Sequence, residues 1–270
     1  MAGFGSYSAV ISALNAGARL EYQFYKVGPT NEGAGVWTSL WYAGSAPAAG
    51  TDPAATPGTA YTNAAGSIQF PNTSTATNWM LDLNATATQD GTLMLYDRLV
   101  GVSGLSVATT GNKTVSSTGL PRYTSSAASV VEAWLEVTTA TTTTAAIVSM
   151  NSYTNEGGTT GRAGGTVTFP ATATDVRTMI KMPLQAGDKG VQACSTINVA
   201  TAAAAGVVNF VLLRPIMYVP LLANIDSRMS CLFDASRTMR VFDGASLAFA
   251  WLATGTTAAT ITGDLRISYA

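Results

Sequence analysis

The sequence predicts an all-β fold: an antiparallel β-sandwich, jelly-roll-like, built as one domain from residues 1–270, with a short N-terminal helix and one long extended loop or arm. Three observations predict it. Many short segments alternate apolar and polar side chains with a period of two, the mark of strands. Turn residues, chiefly Gly and Asn, recur between them. No stretch of helical period approaches the roughly 20 residues of a long helix. Closure of the same strands into a barrel stays open.

The helix falls first, where Tyr7, Val10, Ile11 and Leu14 recur at helical spacing between Ser6 as N-cap and Gly17 as stop. Leu20, Tyr22 and Phe24 then alternate with Glu21 and Gln23 as a half-buried strand. Segment 43–66 is mostly Ala, Gly, Pro and Thr with Asp52 as its one charge; it carries too little bulky apolar surface to pack a core and reads as a long loop or extended arm. Trp79, Leu81 and Leu83 alternate with Met80, Asp82 and Asn84, and beyond Asp90-Gly91 the residues Leu93, Leu95, Asp97 and Leu99 return, completing a hairpin. Val131, Ala133, Leu135 and Val137 oppose Glu132, Trp134 and Glu136 and open a second hairpin, with the Thr-rich tract 138–144 as turn and 147–153 as return. The tract could instead be a surface offered to a neighbour.

Further strands are predicted at 166–169, 179–184, 191–199, 207–214 and 246–253, with turns at Asn112-Lys113, 155–158 and 161–165. Over 259–269, Ile261, Leu265, Ile267 and Tyr269 face one way and Thr260, Thr262, Asp264, Arg266 and Ser268 the other, a terminal strand with a wet face. The apolar run 199–223 reads as buried strands rather than a membrane helix, because Asn209, Arg214, Pro215 and Pro220 interrupt it.

A chain that is 47% hydrophobic has the apolar surface to fold. Charged residues make up 11%, against about a quarter in an ordinary soluble domain, so electrostatic repulsion at the surface is weak and the chain suits packing against neighbours. The net charge of -1, with 14 basic residues scattered along the chain, offers no continuous positive face for nucleic acid. The first charged side chain is Arg19, so the basic region of an export signal is missing and cytoplasmic synthesis is expected.

The absence of histidine excludes Ser-His-Asp, Cys-His and histidine-metal mechanisms. Cys194 and Cys231 lack metal-site spacing and read as free buried thiols, with a disulfide dependent on a proximity that sequence does not fix. Paired carboxylates remain, and with them glycosidase chemistry. Glu132 and Glu136 share a strand face but stand about 13 Å apart, beyond the roughly 5–9.5 Å that glycoside hydrolysis uses. Asp82 and Asp97 could approach across the first hairpin, though a solvated polar face explains them equally. No phosphate cradle occurs, no cofactor or metal is indicated, and calcium at Asp188 or Asp243 lacks any loop spacing behind it. Trp37, Trp41 and Tyr42 stand just before the arm, and with its prolines Pro47, Pro53 and Pro57 they are the candidate partner contacts. The competing reading packs the aromatics against the end of their own sandwich.

The Ala/Thr/Gly-rich, charge-poor texture, with phrases such as Leu95-Tyr96-Asp97-Arg98-Leu99-Val100-Gly101, Ser149-Met150-Asn151-Ser152-Tyr153-Thr154-Asn155 and Phe242-Asp243-Gly244-Ala245-Ser246-Leu247, resembles head-associated structural proteins of tailed phages. A shell protein of those phages would carry a long spine helix that is missing here, so the resemblance points to the capsid decoration, or cement, type. It implies a non-enzymatic homotrimer on the outside of a virion, bound to the major capsid protein and stapling capsomers through an extended arm. No nucleic acid, membrane or small-molecule substrate is implied. The alternative is a tail fibre, spike or receptor-binding protein; a bacterial surface adhesin is a third.

Overall fold

The computed structural model describes residues 7–17, 19–30, 33–69, 78–117, 119–142, 144–169, 176–230 and 240–269. Helix α1 (Tyr7–Asn15) ends as expected: Gly17 sits at φ +75° and returns its amide to Leu14 O at 3.1 Å. Ser6, its expected cap, lies outside the described residues. The strands that follow are β1 (Arg19–Val27), β2 (Trp37–Ser39), β3 (Ser45–Ala46), β4 (Thr59–Ala60), β5 (Ile68–Gln69) and β6 (Asn78–Ala87). Next come β7 (Gly91–Ser106), β8 (Gly111–Thr114), β9 (Glu132–Thr142), β10 (Ile147–Asn155), β11 (Thr166–Thr168) and β12 (Thr178–Lys181). The last are β13 (Val191–Thr201), β14 (Ala205–Leu221), β15 (Ser227–Ser230), β16 (Arg240–Val241), β17 (Ser246–Ala253) and β18 (Thr260–Tyr269). A short 3₁₀ turn, Ser125–Val130, precedes β9.

The fold is an all-β sandwich of antiparallel sheets, as expected, with its central layer closed on itself. That layer runs β4-β7-β14-β9-β12-β2-β17-β5, and an additional β17–β7 pairing joins the strands next to its two ends, so β7, β14, β9, β12, β2 and β17 form a ring with β4 and β5 as short flanking strands. Alternation assigns the two faces. Met94 and Tyr96, Val211 and Leu213, Trp134, Met179, and Ala248 and Ala250 share one buried cluster inside the ring. Their neighbours point outward. Ala133, Leu135, Phe210 and Leu212 meet Val148, Met150, Ile197 and Val199 of a four-stranded sheet, β11-β10-β13-β8. On another part of the ring, Leu93, Leu95, Leu247 and Phe249 meet Phe24, Leu83, Ile261 and Leu265 of a six-stranded sheet, β15-β6-β18-β1-β3 with β16 beside β6. Strands of the ring are therefore buried on both faces, which is why they read as long apolar runs rather than strict alternations.

Both expected hairpins are corrected. Strand β6 belongs to the six-stranded sheet and β7 to the ring, and the chain changes layer at Asp90. Asp90 fixes that corner by accepting the Ala223 amide on Oδ1 at 2.7 Å and the Thr254 amide on its carbonyl at 3.2 Å. Likewise β9 lies in the ring and β10 in the four-stranded sheet. The tract read as a turn continues β9 as far as Thr142, which pairs with Ala205 of β14. Asn112-Lys113, also read as a turn, lies in β8 and pairs with β13. The terminal strand β18 alternates as expected, with Ile261, Leu265 and Ile267 buried, but its polar face is half-buried at Thr260, Thr262, Asp264 and Arg266 rather than wet, and the strand runs between β1 and β6.

Segment 43–66 is a long loop, as one of its two readings had it, and not a protruding arm. It folds back over one end of the ring through the Gly50 amide to Trp41 O (2.8 Å), the Tyr61 amide to Leu99 O (2.9 Å) and the Asn63 amide to Gly244 O (3.0 Å). Glycine at 101 permits the approach, since a Cβ there would lie 3.0 Å from Pro53 and 3.1 Å from Tyr61. The buried Lys26 clasps the segment's start, donating from Nζ to Ala43 O (2.9 Å) and Pro47 O (2.7 Å).

Candidate functional site

The ring holds charge as well as apolar bulk. Strand β7 presents Asp97 and Arg98 to opposite faces, and each finds a partner of opposite sign. Arg98, fully buried, points inward and forks onto Glu136 of β9, Nη1 to Oε1 and Nη2 to Oε2, both at 2.7 Å. Ser39 donates to Oε1 at 2.8 Å and Tyr42 to Oε2 at 3.2 Å. The guanidinium also lies over the Trp41 and Tyr61 rings, 4.8 and 5.1 Å from their centres. Burial disfavours its charge most strongly, but Glu136, through its charge and hydrogen bonds, together with Tyr61 and Tyr42 holds Arg98 well above the ordinary arginine value. From Tyr42 the network continues outward: Asn209 donates to Tyr42 Oη (2.9 Å) and to Asp52 Oδ1 (2.8 Å). Burial drives the Tyr42 hydroxyl far above the usual phenol range, with Glu136 adding to the rise, so it stays protonated and donates to the carboxylate.

On the outward face Arg122 forks onto Asp97, Nε to Oδ2 at 3.0 Å and Nη2 to Oδ1 at 2.6 Å, while Ser246 N donates to the same Oδ1 at 3.0 Å. Asp82 and Asp97 thus sit in different layers, and Asp82 is held by Arg228. Glu132 accepts from Lys181 (2.5 Å) and from Trp134 Nε1 (3.0 Å), whereas Glu136 is sealed inside the ring; the two carboxylates do not share a solvated face. Asp188 accepts from Arg162, from Tyr153 Oη (2.5 Å) and from Asn155, and the arginine above all pulls its carboxyl down to about 2. Asp243 accepts from Asn78 at 2.8 Å. Among the described residues no group of acidic or cysteine side chains could hold a metal ion. Cys194 is buried and free, its thiol pushed up to about 12 by burial, and Cys231 lies outside the described residues.

The six candidate contact residues meet different fates. Trp41 is 1% exposed and donates Nε1 to Thr51 O at 3.0 Å, so it offers no surface. Trp37 is half-buried at the other end of the ring, edge-on to Trp134 (6.4 Å) and Tyr218 (5.9 Å). Tyr42 is half-buried in the polar network, Pro47 is half-buried beneath Lys26, Pro53 is buried against Gly101, and Pro57 is exposed. Sequence reasoning passed over Arg98, Asn209 and Ser39. The signal was there: in Leu93–Val102 the apolar residues occupy both strand faces, so charges within that run must be buried and paired.

Beside the polar end of the ring opens a cavity of about 200 Å³ lined by Tyr42, Asp52, Val137, Thr138, Val176 and Arg177. It is the place where the buried network reaches the surface.

No family model and no curated protein matches this sequence. Among solved structures, two titled "Structure of infectious bursal disease virus Gt strain" and "Crystal structure of infectious bursal disease virus VP2 subviral particle" align over 93% of this chain and 81% of theirs, each at 10% identity. Their TM-scores are 0.18 and 0.15, a level of superposition that carries no argument for fold or function.

Proposed function

We propose that this chain is a non-enzymatic structural protein of a virion, a capsid decoration protein that binds the major capsid protein as a homotrimer and strengthens capsomer contacts. The observation that carries the reading is the filled ring: a small closed barrel whose interior is occupied by side chains, with the acidic group at its heart forked onto an arginine, is a scaffold rather than a vessel. General acid–base work needs a carboxyl group free to exchange a proton with substrate, and Glu136 is bound on both oxygens. Closure also removes edges from the central layer, which favours a stiff, discrete particle component over strand-to-strand aggregation. The low charge content supports packing against neighbours. So does the gathering of exposed Val27 at the end of β1 with Val36, Leu222 and Ile225 on loops, tied together at one end through Gly28 to Ala259, Gly35 to Ala253, Thr254 to Asp90 and Asn224 to Ala87.

Because segment 43–66 is folded into its own chain, seam binding in this proposal works through sheet surfaces and loop ends rather than an arm, with avidity from many copies making modest contacts durable. The test mixes purified protein with expanded empty shells and heats them. Saturable binding with a raised disruption temperature is expected; protein that stays in the supernatant and leaves the disruption temperature unchanged refutes the proposal.

A further inference from the structure

We infer that the cavity beside the ring's polar end is a binding site for a single neutral sugar ring, such as the terminal residue of a surface glycan. Size sets the first limit: about 200 Å³ is below the roughly 300–1,000 Å³ of sites for drug-sized ligands and accommodates one small ring. Charge sets the second. The lining carries one carboxylate, Asp52, and one guanidinium, Arg177, and is otherwise uncharged, so a lone cation or anion would meet repulsion as well as attraction. A polyol avoids that conflict, since its hydroxyls can donate to one group and accept from the other.

The polar groups are in place for it. Asp52 uses Oδ1 to accept from Asn209, and Oδ2 has no hydrogen-bond partner among the described residues. The Arg177 guanidinium likewise has none, while its backbone is pinned on both sides, the amide to Val137 O at 2.7 Å and the carbonyl to the Ser39 amide at 2.8 Å. Arg177 stands at φ +82°, a conformation that non-glycine residues rarely adopt and that the two backbone bonds hold. Tyr42, fixed at its hydroxyl by Glu136 and Asn209, gives a rigid aromatic wall. Val176, exposed at the cavity's lip, supplies apolar surface for the C–H face of a pyranose. Aromatic and aliphatic walls with a few directed polar groups are what orient a small ligand. Binding is non-covalent, and nothing in it depends on the virion reading.

The test titrates the full chain with free neutral hexoses (glucose, galactose, mannose and their N-acetylated amines) by saturation-transfer NMR and calorimetry, with sialic acid and free arginine as charged competitors. At least one neutral sugar is expected to saturate the site with a millimolar dissociation constant, and D52N and R177M are each expected to weaken it tenfold or more while melting as the parent does. R177K, retaining charge without the fork, is expected to bind between the parent and R177M. Absence of saturation by every neutral sugar, preference for a charged competitor, or undiminished binding by D52N and R177M overturns the site. D52N is expected to bind particles like the parent, so failure of the sugar site and failure of the capsid role are read separately.

Discussion

Replacing Glu136 by Gln tests whether the ion pair inside the ring is as dry as the structure makes it. The substitution is nearly isosteric, but it removes the counterion from an arginine that is fully buried and leaves one carbonyl oxygen where two carboxylate oxygens accepted from Arg98, Ser39 and Tyr42. Removing one partner of a buried pair typically costs about 3–5 kcal/mol, because the remaining charge is stranded. The Trp41 and Tyr61 rings beside the guanidinium remain in the variant and hold the loss toward the lower end, about 3 kcal/mol. Set against a total stability on the order of 5–15 kcal/mol, that is a large fraction. Urea unfolding followed by tryptophan fluorescence reads it, with Trp41 in contact with the arginine. The double variant R98M/E136Q removes both charges and is expected to be no less stable than E136Q alone, a coupling of about 2 kcal/mol or more. An E136Q protein within about 1 kcal/mol of the parent, or strictly additive losses in the cycle, would show that water reaches the pair and refute the reasoning.

Lys26 gives a pH signature: burial lowers its amine from the ordinary 10.5 to about 8, so between those values the unfolded chain binds the proton and the folded chain does not. Stability is therefore expected to rise as pH climbs from about 8 toward 10, before the buried tyrosines, whose pKa values burial raises, begin to pull it the other way; K26M should flatten the rise in denaturation curves taken across that range. The amides of Gly50, Tyr61 and Asn63, bonded into the fold, should exchange with deuterium far more slowly than free loop amides; exchange at the rate of an unstructured peptide would restore the extended arm. Cys194, with its thiol at about 12, should resist iodoacetamide at pH 8 in the native protein and react once urea opens the core, as peptide mass spectrometry would show; native labelling would contradict its burial.

Much of the fold was legible in the residues because alternation and turn chemistry report on a strand's own faces. Strands β1, β6, β7, β9, β10, β13, β14, β17 and β18 lie where the pattern puts them. Pairing was not legible. Asp90-Gly91 is as good a signal for a change of layer as for a tight hairpin, and only distant contacts, Ala223 and Thr254 on Asp90, decide between them. Glu132 and Glu136 read only as a same-face carboxylate pair too far apart for hydrolysis; closure of the ring sealed Glu136 inside, and Arg98 from another strand made that tolerable. Segment 43–66 has little of the apolar bulk that signals packing, and what holds it, backbone hydrogen bonds, Lys26 and the scattered burial of Pro53 and Tyr61, makes no periodic pattern. The cavity escaped for a similar reason: Tyr42, Asp52, Thr138 and Arg177 come from segments far apart in sequence.

Counting and locating this chain in intact particles tests the structural role most directly. Quantitative mass spectrometry against the major capsid protein, with antibody labelling of whole virions, should find hundreds of copies spread over the head. A handful of copies at the tail would identify a fibre or receptor-binding protein instead, and absence from purified particles would contradict a virion role altogether.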